Sequence, residues 1–127
     1  MKRITKRIAV TGFAVAAIVA ATGSPAFAHD IREYGPYGCG TVPGSCGYGQ
    51  VRDQHEIIDA CDTKADGKGL EVNYELRNGS FGTVKDPNGS ASGCGIKRVG
   101  STSKIAKFQV CGYPLGSGRF CTTWKDA

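Results

Sequence analysis

A strict alternation of apolar and polar residues runs from Leu70 to Arg77 and is the most regular pattern in the chain. Every second residue of this stretch is apolar, so the apolar side chains of an extended strand would all face one way. This period of two predicts a half-buried β-strand with one wet face. The dipeptide Asn78-Gly79 follows directly. It favours a type I′ hairpin turn, because both residues tolerate positive φ.

Shorter apolar runs, separated by turn residues, continue through the C-terminal part of the chain. They predict five further strands, at residues 55–61, 81–85, 96–99, 105–111 and 119–124. Such closely spaced turn signals, without a helical period, are typical of a small all-β protein. We therefore expect an antiparallel β-sandwich of about six short strands. Its predicted core consists of Ile57, Leu70, Val72, Tyr74, Phe108, Val110, Phe120 and Trp124.

Residues 29–51 differ in character from the strands that follow. They are rich in glycine and tyrosine, contain two prolines and show neither a helical nor a strand period. We therefore expect an irregular N-terminal arm, with a small disulfide loop, joined to a β domain at residues 52–127. Tyrosine and arginine are enriched in protein interfaces, and the predicted partner contacts are Arg32, Tyr34, Pro36 and Tyr37. Alternatively, the arm folds back over the sandwich and completes its core.

The charge of the whole chain is misleading, because residues 1–28 have the composition of a secretory signal peptide. The chain has a net charge of +5, from 16 Lys and Arg against 11 Asp and Glu. Four of the basic residues lie in this leader, which continues with an apolar run and ends in Ala26-Phe27-Ala28. Cleavage after Ala28 would leave a net charge of +1 on a secreted protein. We therefore expect no binding to nucleic acid or membrane.

All six cysteines follow the leader. They are Cys39, Cys46, Cys61, Cys94, Cys111 and Cys121. In a small exported chain this number predicts three disulfides, although it allows many pairings. Loop closure favours the pairs 39–46 and 111–121, which leaves 61–94 as the third. The spacing contains no C-x-x-C, and only two histidines are present, so we expect no metal site and no cofactor.

Candidate catalytic residues are few. His55 and Glu56 would face opposite sides of a strand and could not converge on one substrate atom. A secreted hydrolase or ribonuclease would nevertheless have to depend on His55. The loop that begins at Asp62 matches a calcium loop only in part, because Lys64 and Asn73 occupy two ligand positions. A cluster of basic residues predicts a solvated edge strand. It consists of Lys97, Arg98, Lys104 and Lys107.

Three stretches of the β domain resemble a known group of proteins. They are ACDTKADGKGL at residues 60–70, DPNGSASGCG at residues 86–95, and FQVC followed by CTTW, which ends at Trp124. They resemble small secreted actinobacterial proteins, among them the adaptor subunits of Streptomyces umbrella toxin particles. The resemblance implies a non-enzymatic adaptor between a large repeat-containing toxin subunit and lectin-like subunits. It also implies that the N-terminal arm docks into a groove of the toxin subunit.

We therefore expect a secreted, non-enzymatic adaptor of an extracellular antibacterial toxin complex. The alternative is a stand-alone secreted enzyme inhibitor or antimicrobial polypeptide. In that case the loop at residues 112–120, stapled by the predicted 111–121 disulfide, would occupy the cleft of a target enzyme.

Overall fold

The computed structural model describes residues 30–38 and 45–127. The expected signal peptide at residues 1–28 lies outside these ranges. The described residues form nine strands and no helix, so none of them forms a helix that could cross a membrane. The strands are β1 (Ile31–Tyr34), β2 (Gly47–Arg52), β3 (Ile57–Asp62), β4 (Glu71–Leu76), β5 (Phe81–Lys85), β6 (Gly95–Arg98), β7 (Ile105–Gly112), β8 (Phe120–Cys121) and β9 (Lys125–Asp126).

Two antiparallel sheets divide these strands. The first sheet has the order β1-β2-β3-β6, and the second has the order β5-β4-β7-β8, with β9 also paired to β7. Apolar side chains from both sheets meet in one core cluster. The predicted all-β sandwich is therefore confirmed. Each of the six predicted strands overlaps an observed strand. The last is much shorter than predicted, because β8 covers only two of residues 119–124, and β9 begins after that range.

Six of the eight predicted core residues are buried, among them Phe108 and Val72, which are fully enclosed. The other two predictions are wrong, because Phe120 is 59% exposed and Trp124 is 40% exposed. Phe120 belongs to a two-residue strand at the margin of the second sheet. Trp124 lies against exposed Phe81, with the ring centroids 6.1 Å apart. Both aromatics therefore remain outside the space between the sheets.

The N-terminal segment is more regular than its composition indicates. Its two ends form β1 and β2, which pair with each other, and β2 pairs along its full length with β3. The expectation of an irregular arm is therefore wrong for these strands. The physical reason is that Gly47 and Gly49 take the inward positions of β2, where an apolar side chain would have revealed the alternation. Pro36 is buried as well, so this segment packs onto the sandwich.

The turn between β4 and β5 also differs from the expectation. Gly79 has a φ of 84°, whereas Asn78 is not among the residues with positive φ, so the turn is not type I′. The amide of Gly79 donates to the carbonyl of Leu76 at 2.9 Å, and the amide of Leu76 donates to the carbonyl of Ser80 at 2.8 Å. This pattern is that of a three-residue hairpin loop, in which a type I turn is followed by a left-handed glycine.

Two of the predicted disulfides are confirmed. Cys61 bonds to Cys94, and this bridge ties β3 to the residue before β6. Cys111 bonds to Cys121 and joins β7 to β8. Each bridge stabilises a small domain by about 2–4 kcal/mol. The predicted pairing of Cys46 with Cys39 involves a residue outside the described ranges.

The turn between β2 and β3 contains three consecutive residues in the left-handed region. Asp53, Gln54 and His55 have φ values of 54°, 55° and 68°. Such a conformation costs roughly 1–2 kcal/mol per residue other than glycine. Two contacts hold the turn in place. The amide of Glu56 donates to the carbonyl of Asp53 at 3.1 Å, and Arg98 forms an ion pair with Asp53 at 3.1 Å.

Replacing Gln54 with glycine should therefore stabilise the protein. Gln54 is exposed, and glycine adopts positive φ without the steric penalty that a Cβ atom imposes. We expect Gln54→Gly to raise the free energy of unfolding by about 1 kcal/mol, measured by denaturant titration. Gln54→Ala is the matched control and should leave stability within about 0.5 kcal/mol of the native value. Equal stability of the two variants would contradict the strain argument.

Candidate functional site

The four predicted contact residues do not form one surface. Arg32 and Tyr34 alternate with inward residues of β1 and point away from the second sheet, and Tyr34 is 56% exposed. Tyr37 is 80% exposed but lies beyond the end of β1. Pro36 is buried between them. The structure therefore brings Arg32 and Tyr34 together on the outer face of the first sheet, with Tyr37 farther along the same segment.

Tyr48 joins these two residues, although the sequence analysis did not single it out. Its Cα is paired with that of Tyr34 across β1 and β2, and the two rings meet edge to face with centroids 6.1 Å apart. The guanidinium carbon of Arg32 lies 4.1 Å from the centroid of the Tyr48 ring. This distance is typical of a cation–π contact. The strand alternation of β2, once recognised, would have placed Tyr48 on this face.

Hydrogen bonds fix the position of Arg32. Its Nη2 and Nε atoms donate to Oε1 of Gln50 at 2.7 and 3.2 Å. Nε2 of Gln50 donates in turn to Oδ2 of Asp30 at 3.1 Å. We call Arg32, Tyr34, Tyr48 and Gln50 the Tyr48 surface. Its arginine and tyrosine side chains are held in place before any partner arrives, which reduces the entropy lost on binding.

The Tyr48 surface lies at an edge of the first sheet. β1 is the terminal strand of that sheet, and within the described ranges it pairs only with β2. In an antiparallel pair, about half of the backbone groups of an edge strand point away from its neighbour. Such groups can accept another strand by β-augmentation. Side-chain contacts and backbone hydrogen bonds are therefore both available at the same place.

The segment after β1 presents a second exposed region. The amide of Cys46 donates to the carbonyl of Pro36 at 3.1 Å, and the amide of Leu115 donates to the carbonyl of Gly38 at 2.7 Å. The second of these bonds connects the neighbourhood of Tyr37 to the loop after β7. Leu115 is 54% exposed. The side chains of Tyr37 and Leu115 are therefore two large exposed groups on neighbouring parts of the chain.

Charges beside the Tyr48 surface are balanced. Nε of Arg52 lies 2.7 Å from Oδ2 of Asp59, which is largely buried. Asp59 is paired in register with Gln50, so this ion pair borders the surface. The hydrogen bond to Asp59 raises the pKa of Arg52. The Arg52–Asp59 pair therefore adds no net charge beside this surface.

The histidine considered for catalysis lies in the turn between β2 and β3. The carbonyl of His55 accepts a hydrogen bond from the amide of Ile105 at 2.9 Å. Its neighbour Glu56 forms ion pairs with Arg98 at 3.5 Å and with Lys104 at 4.0 Å. Arg98 and Lys104 belong to the predicted basic cluster, and both are thus paired with Glu56, the residue considered as the catalytic partner of His55. Lys97 and Arg98 lie on β6, which is an edge strand as predicted, whereas Lys107 lies on β7, between β4 and β8.

A cavity of about 450 Å³ lies between the loops that follow β3 and β5. Oδ1 of Asp62 accepts a hydrogen bond from the amide of Lys64 at 2.9 Å. Oδ2 of Asp86 accepts one from the amide of Asp62 at 2.8 Å. Both carboxylates are thus used to shape the loops. Over residues 30–38 and 45–127, no group of three or more His, Cys, Asp or Glu residues is arranged to hold a metal ion.

Burial raises the pKa of the Asp62 carboxyl above its ordinary value of 3.8. The fold therefore favours the protonated form, and this contribution to stability is lost as pH rises through the folded-state pKa. We expect Asp62→Asn to be more stable than the native protein at pH 7, because it removes a desolvated charge and keeps an acceptor oxygen for Lys64. The difference should disappear near pH 3.

Thermal unfolding at both pH values would measure this effect. Asp126→Asn, at an exposed carboxylate of β9, is the control and should change stability little at either pH. A native protein that is more stable than Asp62→Asn at pH 7 would contradict the expected role of desolvation.

Comparisons of this chain with protein families, with curated proteins and with solved structures give no match. The function must therefore be inferred from the surfaces of the molecule and from the sequence resemblance.

Proposed function

We propose that this protein is a secreted, non-enzymatic adaptor that links subunits of an extracellular antibacterial toxin complex. Its partners are a large repeat-containing toxin subunit and a lectin-like subunit. The Tyr48 surface and the adjoining edge of β1 dock into a groove of the toxin subunit. The observation that carries this proposal is the Arg32–Tyr48–Tyr34 stack, which is exposed at the edge of a sheet.

The composition of the Tyr48 surface supports a protein partner. Tyrosine and arginine dominate the residues that contribute most to binding in protein interfaces. Tyr34 contributes a large exposed area, and Tyr48 holds it edge to face. Because Arg32 is already bonded to Gln50, little side-chain freedom remains to be lost. A rigid, amphipathic surface of this kind favours a specific partner.

The edge of β1 supplies the backbone component. A partner strand laid against β1 would extend the first sheet, and its side chains would alternate between the Tyr48 surface and the opposite side. This mode of docking differs from insertion of a free arm. The N-terminal segment is already paired to the sandwich through β2, so it offers an ordered edge together with exposed Tyr37.

The sequence resemblance and the disulfides support the remaining parts of the proposal. The stretches that resemble umbrella toxin adaptors occupy β3, β7, β8 and the loops next to them. Disulfides are typical of proteins that function outside the cytoplasm, and two bridges occur in the described ranges. Together with the leader at residues 1–28, they favour secretion.

Affinity purification of the tagged, secreted protein from culture supernatant tests the proposal. We expect a large secreted protein with internal repeats to copurify and to be identified by mass spectrometry. Tyr34→Ala combined with Arg32→Ala should weaken this association by about 2 kcal/mol or more, which is about thirtyfold, because it removes the centre of the stack. Deleting the N-terminal segment is unsuitable, since it would remove β1.

Phe120→Ala is the matched control, because it removes an exposed aromatic outside the first sheet. It should leave the association unchanged, and circular dichroism should show that all variants are folded. Recovery of the native protein only as a monomer would contradict the adaptor proposal. Retention of the partner by the double variant would instead contradict the assignment of the Tyr48 surface.

The second candidate is a stand-alone inhibitor or antimicrobial polypeptide, favoured by the loop between β7 and β8. The Cys111–Cys121 disulfide closes this loop, and Leu115 projects from it with 54% exposure. A short, closed loop with an apolar tip can fill the cleft of an enzyme. This function requires that the purified monomer inhibits an enzyme or bacterial growth, whereas an adaptor without its partners should do neither.

A further inference from the structure

The outer face of the second sheet carries a small cavity that the proposed adaptor function does not use. Its volume is about 300 Å³, and it is lined by Asn73, Phe81, Gly82, Thr83 and Trp124. Asn73 lies between two inward residues of β4, and Thr83 lies next to the inward Val84 on β5. Both side chains therefore face outward. The cavity therefore opens on the opposite side of the sandwich from the Tyr48 surface.

Two aromatic rings form the walls of this cavity. The rings of Phe81 and Trp124 are inclined at 70°, with centroids 6.1 Å apart. They are 68% and 40% exposed. The pair therefore makes a nearly right-angled corner with apolar faces open to water. Aromatic faces carry partial negative charge and attract polarised C–H groups.

The backbone of the chain is paired to β7 on both sides of Trp124. The amide of Thr122 donates to the carbonyl of Val110 at 2.9 Å, and the amide of Val110 donates to Oγ1 of Thr122 at 3.1 Å. On the other side, Lys125 pairs in register with Phe108. A backbone that is ordered before binding reduces the entropy cost of ligand binding.

The floor of the cavity is polar and uncharged. Oγ1 of Thr83 donates to Oδ1 of Asn73 at 2.8 Å, and Nδ2 of Asn73 contacts Sγ of Cys111 at 3.4 Å. These bonds orient both groups and leave hydrogen-bonding capacity on each, because a hydroxyl and an amide have several donor and acceptor positions. A ligand with hydroxyl groups can therefore donate hydrogen bonds to Asn73 and Thr83 and accept hydrogen bonds from them.

The charges near the cavity cancel. Nζ of Lys107 lies 5.4 Å from the centroid of the Trp124 ring and 2.8 Å from Oε2 of Glu75. An anionic ligand would have to compete with Glu75 for this lysine. A purely apolar ligand would cover the Asn73–Thr83 pair without bonding to it, which carries a desolvation penalty. Both considerations favour a neutral ligand with one apolar face and several hydroxyl groups.

We propose that this corner binds a neutral pyranose residue of an oligosaccharide. The C–H face of the sugar stacks on Phe81 and Trp124, and its hydroxyl groups bond to Asn73 and Thr83. The cavity volume lies at the lower end of the range for ligand sites, which fits recognition of one sugar residue rather than a long chain. Because the site and the Tyr48 surface are on opposite faces, both can be occupied at once.

Tryptophan fluorescence provides a direct test, because Trp124 is the only tryptophan in the chain. The secreted protein would be titrated with triacetylchitotriose, cellotriose, maltotriose and mannotriose, and with trigalacturonate, in which every residue is charged, as the anionic probe. We expect a saturable change in Trp124 emission with at least one neutral trisaccharide and none with trigalacturonate. The absence of a saturable change with every neutral probe, or a response to trigalacturonate alone, would overturn the proposal.

Variants then locate the binding site. Phe81→Ala should weaken sugar binding about tenfold, because it removes one wall of the corner. Thr83→Val keeps the shape of the floor and should also weaken binding, whereas Phe120→Ala should not change it. Unchanged affinity in both Phe81→Ala and Thr83→Val would overturn the proposal. The proposal would also be overturned if no neutral sugar binds to the native protein and a copurifying protein is lost in Phe81→Ala.

The test is independent of the adaptor function. Arg32→Ala and Tyr34→Ala should retain sugar binding, because both residues lie on the other sheet. If the adaptor proposal fails, the fluorescence titration still decides whether the corner binds a sugar. A loss of sugar binding in Tyr34→Ala, with the fold intact, would contradict the separation of the two sites.

Discussion

The close approach of the two sheets at Gly49 is the constraint on which the rest of the structure depends. A Cβ atom at this position would lie 2.7 Å from a methyl carbon of Val72 and 2.9 Å from one of Val110. Such contacts are too short, so any larger residue would push the sheets apart or displace core side chains. Glycine here lets β2 cover β4 and β7 directly, and the core closes without a bulky residue from this strand.

The Tyr48 surface follows from that contact. Once Gly49 faces inward, the pleat of β2 directs Tyr48 and Gln50 outward. The register with β1 then places Tyr34 opposite Tyr48 and Arg32 opposite Gln50. The cation–π contact and the hydrogen bonds of Arg32 are therefore consequences of strand pairing. A shift of one residue in this register would turn the aromatic residues toward the second sheet.

The sequence predicted the strands whose inward positions carry apolar side chains. It missed β2, where two of the three inward residues are glycine, and the short β1, whose inward residues are Ile31 and Glu33. The alternation of β4 was visible because Val72 and Tyr74 are large, whereas β2 has the same burial pattern with Gly47 and Gly49. Strands β3 to β8 were accordingly predictable, whereas β1, β2 and β9 were not. Arg32 and Tyr34 were identified by residue type alone, and Tyr48 required the register.

Alternation also shows which residues share a face without showing whether that face is covered. Phe120 and Trp124 were assigned to the core for this reason, yet both are exposed. Trp124 lies on the outer face of the second sheet, which no third layer covers, and Phe120 lies at the margin of that sheet, on β8. A large aromatic side chain that stays fully exposed forgoes roughly 1.5–3 kcal/mol of burial, and a partly exposed one forgoes less. The sandwich closes without Phe81 and Trp124, and the corner that they form is therefore better explained by a ligand than by folding.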